Sequence, residues 1–136
     1  MIIGIGVDLV DCRRIERLLK KFGQRFTEKI FTVNERSYAD NSPSPLLAYT
    51  NRFSAKEAVV KALGTGFQGG IGWHDIEVLR AASGAPSLVL HRKAYEKLLS
   101  LIPLGYTLAT HVSFSDEPPY STAFVVVSAI HKDSFL

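Results

Sequence analysis

Ala55, Ala58, Val59 and Ala62 recur at i, i+3, i+4 and i+7 within Phe53–Gly64. That spacing predicts a helix with one narrow apolar stripe. The stripe is built from small side chains, so a neighbouring element must approach it closely. Glu57 and Lys61 fall on the opposite side, one turn apart, and can act together. Glycines follow at 64, 66, 69 and 70. A carboxylate can hold a hard metal ion, an ammonium can hold a phosphate, and glycine-rich backbone admits phosphate oxygens. Together they point to a site for a metal-bound phosphate compound. Two purely structural readings compete with it. Glu57 and Lys61 form a surface ion pair worth about 0.3–0.5 kcal/mol, or Ser54-x-x-Glu57 is a capping box.

The N-terminal stretch Met1–Val10 reads as a strand. Ile3, Ile5, Val7 and Leu9 share one parity, and Gly4, Gly6 and Asp8 share the other. Two glycines leave room for a ligand or a backbone beside them. Asp is disfavoured in strands, so Asp8 either caps the next helix, in competition with Asp11, or serves a site. If it meets Glu57 in space, two carboxylates plus phosphate oxygens make an ordinary Mg²⁺ shell.

The next helix is expected from Asp11 to Phe26, with Ile15, Leu18, Leu19, Phe22 and Phe26 as its buried stripe. Arg13, Arg14, Arg17, Lys20, Lys21 and Arg25 face only two acids there, Asp11 and Glu16, although the whole chain is just +3. The basic character is therefore local. It marks either a solvated helix face or an attractor for an acidic partner.

Beyond this point the pattern is α+β. A Pro-marked loop (Asn41–Pro45) precedes the Leu46–Leu63 helix. Strands are expected at Ile76–Arg80 and Ser87–His91, joined by Ser83-Gly84-Ala85-Pro86. A helix follows at Lys93–Leu101. Strands Thr107–Ser115 and Thr122–Ala129 form a hairpin around Asp116–Pro119. The apolar run Phe124–Val127 suits a core or an interface. At 136 residues the chain is expected to form a single domain, 1–136.

Several functions are disfavoured. Gly64-x-Gly66-x-x-Gly69 has the letters of a dinucleotide fingerprint but follows a helix, where the fingerprint needs a strand. There is no Walker A sequence. His74, His91, His111 and His131 show no metal spacing with each other or with Cys12. Ser113 and Ser115 lack a G-x-S-x-G elbow. The aromatic residues do not interleave with the basic ones, so no nucleic acid is expected. No apolar run nears a membrane span. Charge appears by position 8 with no cleavage pattern, so no leader is expected. Cys12 is the single cysteine and forms no internal disulfide, which suits a reducing cytoplasm.

Gly6-Val7-Asp8 with Arg14-Ile15-Glu16, and Phe53-Ser54-x-Lys56-Glu57-Ala58-x-x-Lys61-Ala62-x-Gly64, resemble the two signature motifs of 4′-phosphopantetheinyl transferases. Length and order match the short bacterial type, the holo-[acyl-carrier-protein] synthases. The likeness extends through Phe31-Thr32-x-x-Glu35, Gly84-x-Pro86 and His111–Asp116 to Tyr120 and Ala123. Ala85 departs from the basic residue many relatives carry there.

The resemblance implies a small antiparallel sheet with packed helices, and a homotrimer with sites between subunits. It implies transfer of the 4′-phosphopantetheine arm of coenzyme A to a serine of apo acyl carrier protein, in fatty acid synthesis, with release of adenosine 3′,5′-bisphosphate. Mg²⁺ would be held by Asp8 and Glu57. Glu57, Lys61 and His111 become the catalytic candidates. For His111, a strand histidine satisfied by backbone bonds is the competing reading. Lys61, Gly64, Gly66 and Arg52 become the coenzyme A candidates. Arg14, with Arg13, Arg17 and Lys21, would receive the acidic carrier. A non-catalytic module that holds an acidic protein or nucleic acid through the basic helix is the alternative. It would need neither Mg²⁺ nor coenzyme A. A more distant rival is a transferase serving polyketide or peptide synthetases.

Overall fold

Pro45 opens the central helix, where its missing N–H costs nothing, and Gly64 closes it in the left-handed conformation (φ 76°). A computed structural model describes residues 1–135 of the chain. Strand β1 (Ile2–Asp11) leads to helices α1 (Cys12–Phe22), α2 (Gln24–Ile30), α3 (Val33–Asp40) and α4 (Pro45–Leu63). A short 3-10 turn, Trp73–Asp75, precedes β2 (Ile76–Arg80) and β3 (Pro86–Leu90). Helix α5 (Arg92–Leu101) and strands β4 (Tyr106–Glu117) and β5 (Tyr120–His131) follow. The α+β expectation holds, with small antiparallel sheets. One sheet has the order β1-β5-β4, and β2 pairs with β3 in a second, two-stranded sheet.

Helix α4 lies across the sheet with its small-residue stripe inward. Ala55, Ala58, Val59 and Ala62 pack with Ala123, Val125 and Val127 of β5 in one core cluster. Each fully buried Val or larger aliphatic side chain contributes about 1.5–3 kcal/mol. A second cluster joins Ile15, Phe26, Ile30, Phe31, Tyr49 and Phe53 under α1–α3.

Three expectations need correction. The single helix 11–26 is two helices, because Gly23 takes φ 55° between them, a conformation that suits glycine. Helix α3 was not anticipated. It starts on a complete capping box, in which the Thr32 N–H donates to Glu35 Oε1 (2.9 Å) and the Glu35 N–H to Thr32 Oγ1 (3.3 Å). Ser54 caps nothing, since its hydroxyl sits mid-helix and donates to the Asn51 carbonyl (2.9 Å).

The polarity of β1 is the larger surprise. From Ile5 onward its apolar parity faces outward, with Ile5 59%, Val7 55% and Leu9 66% exposed, whereas Ile3 packs on the core. The glycine parity faces α4. A Cβ at Gly6 would collide with the Ala58 carbonyl oxygen, and one at Gly4 with that of Ala62. The room beside the glycines is filled by helix backbone.

Gly6→Ala is therefore expected to destabilise the chain by at least the usual cost of overpacking, about 1–3 kcal/mol. A urea titration should show a lower midpoint at unchanged slope. An unchanged midpoint would show that the helix does not rest on this strand.

Candidate active site

The close packing of β1 on α4 determines where two charged side chains meet. Asp8 follows Gly6 on the helix-facing parity. The Lys61 ammonium donates to Asp8 Oδ1 (3.0 Å) and to the Val7 carbonyl (2.9 Å). Asp8 is largely covered, whereas Lys61 is half exposed. Lys61 thus pairs across the elements with Asp8, and the expected Glu57–Lys61 surface pair is not formed among the described residues.

Glu57 lies one turn before Lys61 and is partly buried. Burial pushes its carboxyl up from the usual range, and the Asp8 charge adds to this, while Arg14 and Lys61 oppose it. Two carboxylates from distant parts of the chain therefore repel one another, and the Lys61 ammonium on Asp8 opposes the effect on Glu57. Such a pair suits a divalent cation, which prefers one or two protein carboxylates plus phosphate and water oxygens when it is Mg²⁺. Among the described residues no group of three or more His, Cys, Asp and Glu side chains gathers as a metal site.

Asp8 is free for this role because Asp11 does the capping. Asp11 Oδ1 accepts from the Arg13 N–H (2.9 Å), and the Arg13 guanidinium forks onto both oxygens (2.6–3.1 Å). That pairing pulls the Asp11 carboxyl down to about 2. Arg13 is thereby engaged at its own helix start. Arg14 instead turns over the Phe53 ring, 5.3 Å from its centroid.

Arg14 and Phe53 belong to a groove of about 470 Å³ that Glu57 also lines. Its apolar walls are Leu18, Phe22, Phe26 and Trp73, and Arg25 and Lys29 add to its charge. The stripe expected to be buried on one helix thus leaves Phe22 exposed on an open groove. Arg17 and Lys21 are exposed on the same helix, with Lys21 over its neighbour Phe22 (5.2 Å).

The remaining candidates lie apart. The Gly64 N–H is used as a helix cap, donating to Val60 and Lys61 carbonyls (3.1 Å each). Gly66 (φ 59°) sits in open space in the following loop. His111 lies on β4, opposite Val126 of β5, on the sheet parity away from the core-packed Val112. Within one chain it does not join Asp8 and Glu57. Arg52 is buried and packs over the Tyr38 ring at 4.1 Å. It donates to Asn51 Oδ1 (2.8 Å), and its Nε has no partner.

Sequence reasoning gave no role to Trp73, which stacks on Phe53 with centroids 5.2 Å apart. The one available signal was that it is the only tryptophan in the chain.

The family comparison decides what this arrangement is. The model of the 4′-phosphopantetheinyl transferase superfamily matches residues 4–120. The chain belongs to that superfamily. A relative named holo-[acyl-carrier-protein] synthase, from Methylobacterium sp. (strain 4-46), is 48% identical over 98% of this chain and 99% of its own length. The crystal structure of the holo-[acyl-carrier-protein] synthase of Neisseria meningitidis superposes with TM-score 0.81 at 38% identity, covering 94% of this chain and 99% of that one. The Bacillus anthracis enzyme in complex with CoA (3′,5′-ADP) superposes with TM-score 0.72 at 33% identity, over 93% and 96% of the two chains. Asp8, the basic α1, Glu57 and Lys61 all fall inside the matched residues. Among the described residues no helix is long and apolar enough to cross a membrane.

A carboxyl whose folded pKa is raised binds protons that the unfolded chain releases. Its stabilising effect is full below the ordinary value of 4.5 and is lost as pH rises through the raised value. At neutral pH, ionised Glu57 therefore weakens the fold. Glu57→Gln should raise the melting temperature at pH 7 in EDTA, with the gain vanishing below about pH 4. A lower melting temperature at pH 7 would contradict the assigned repulsion.

Proposed function

We propose that this chain, as one domain over 1–136, transfers the 4′-phosphopantetheine arm of coenzyme A to a serine hydroxyl of apo acyl carrier protein. The observation that carries the reading is the Lys61 ammonium on Asp8, one turn from Glu57, beside an apolar groove with a basic rim. The serine oxygen forms a new bond to phosphorus, the pyrophosphate P–O bond breaks, and adenosine 3′,5′-bisphosphate leaves. Coenzyme A bound to a 33%-identical relative supports that donor.

Catalysis of phosphoryl transfer is mostly positioning and charge neutralisation. Asp8 and Glu57 would hold Mg²⁺, which supplies positive charge for the pyrophosphate. Lys61 adds a point charge toward the leaving phosphate. Glu57 takes the serine proton. It does so directly or through a metal-held water. Arg52 lines a second cavity together with Arg80, where a coenzyme A phosphate would meet two guanidinium groups.

The outward face of β1 and β5 supports self-association, for which the family resemblance implies a homotrimer. Ile5, Val7 and Leu9 continue into Phe124, 46% exposed, across the sheet. Contiguous exposed apolar residues of this size mark contact surfaces. A neighbouring copy is the occupant we assign, and His111, on the same face, would serve a site across that contact. The acidic carrier is assigned to the groove rim, with Arg14 central and Arg17 and Lys21 beside it. The product's destination would be fatty acid synthesis in the cytoplasm.

Incubation with apo carrier, coenzyme A and Mg²⁺ should add one phosphopantetheine arm to the carrier by mass spectrometry, and EDTA should abolish the gain. No mass gain would leave the non-catalytic binding module as the reading. Arg14→Glu should raise KM for the carrier at least about tenfold, the scale of losing one interfacial charge pair, while KM for coenzyme A stays near wild type. Equal effects on both would remove the docking assignment.

A further inference from the structure

Lys56 stands directly before Glu57 but points into the protein. Its side chain and that of Glu35 are both 0% exposed, and they meet at 2.7 Å. The other donors of the ammonium reach the Trp73 carbonyl (2.8 Å) and the Ile76 carbonyl (2.6 Å). Glu35 accepts in addition from the Thr32 N–H (2.9 Å) and the Val78 N–H (2.9 Å). Burial pulls the Lys56 ammonium down from its ordinary range, and the Glu35 charge holds it up.

A buried ion pair of this kind is weak support for stability. Well-packed apolar replacements of such pairs are often neutral or stabilising. Its three-way geometry indicates another use. It ties the start of α3, the middle of α4 and the segment Trp73–Val78 to one point. Trp73 is held there by its carbonyl, while its indole stacks on Phe53 (5.2 Å) and meets Phe67 at a tilt (3.9 Å). Trp73, Phe53 and Glu57 line one groove.

We propose that the buried Glu35–Lys56 pair is a positioning couple for the transfer reaction, seating Trp73 against Phe53 and thereby fixing the groove wall beside Glu57. The role in transfer rests on the function proposed above, whereas the seating of Trp73 does not. Lys56 and Glu35 touch no substrate. They act through the wall that confines the reacting groups near Glu57.

The test is the double variant Glu35→Met/Lys56→Met, which removes both charges and keeps apolar volume. It avoids the buried unpaired carboxylate that Lys56→Met alone would leave. Three quantities are compared with wild type: melting temperature, acrylamide quenching of the single tryptophan, and kcat and KM for coenzyme A. The melting temperature should fall, because the Trp73 and Ile76 carbonyls and the Thr32 and Val78 N–H groups lose their partners. Quenching should increase about twofold, and kcat should fall about ten- to a hundredfold, the scale of a small misplacement, with KM for coenzyme A within about threefold. A folded double variant with wild-type quenching or wild-type kcat would overturn the proposal. Should the double variant fail to fold, Glu35→Gln, which weakens the pair at nearly constant volume, gives the same two readouts with the same opposing outcomes. If wild type itself transfers nothing, the function proposed above fails, and quenching still decides whether the pair seats Trp73.

Discussion

The approach of β1 to α4 without side chains between them is the constraint on which the site depends. Gly4 and Gly6 abut the carbonyls of Ala62 and Ala58. No other residue type would fit at that distance, since any Cβ would meet helix backbone. The same contact brings Asp8, two residues beyond Gly6, to the Lys61 ammonium. Carboxylate placement is thus a by-product of backbone packing. The site is as precise as the helix–strand contact because no flexible loop intervenes.

Charge at this contact is balanced for chemistry at some expense of stability. One ammonium serves Asp8, while Glu57, one turn away, makes no ion pair among the described residues. Burial and the Asp8 charge raise its carboxyl, and Arg14 and Lys61 oppose the rise without reversing it. The buried pair of Lys56, the residue before Glu57 on α4, with Glu35 of α3 is the opposite case. Its ammonium uses all three donors and its carboxylate oxygens are all engaged. A saturated charge pair inside and an unsaturated one at the surface divide the labour of a single helix between rigidity and reactivity.

Much of this was legible in the sequence, and the failures have physical causes. The small-residue stripe of α4 specified its inner face correctly, because period 3.6 and residue size point the same way. Alternation in β1 specified a strand but not which parity is inside. Apolar residues normally face the core, yet here the helix needs the glycine side, and Ile5, Val7 and Leu9 are displaced outward. Gly23 sits within an otherwise regular apolar pattern, so periodicity alone ran through the break between α1 and α2. Thr32-x-x-Glu35 carried the letters of a capping box before α3, but Val33–Asp40 is too short and polar to show a period. Lys56 could not be read as buried, because its partner Glu35 lies on another helix and the carbonyls of Trp73 and Ile76 are tertiary neighbours.

What remains outward-facing follows from the same geometry. A sheet covered by one helix layer has one face left over. In β1 that face must be the apolar one, since the glycine parity is committed to α4. Polar residues at Ile5, Val7 and Leu9 would solubilise a lone subunit. Three exposed branched aliphatics beside Phe124 form the kind of surface that marks a contact. The site and the proposed subunit contact are then two sides of one strand. Asp8 looks inward to α4, Val7 and Leu9 look outward on either side of it, and an assembly that clamps the outer face also holds the carboxylate on the inner one.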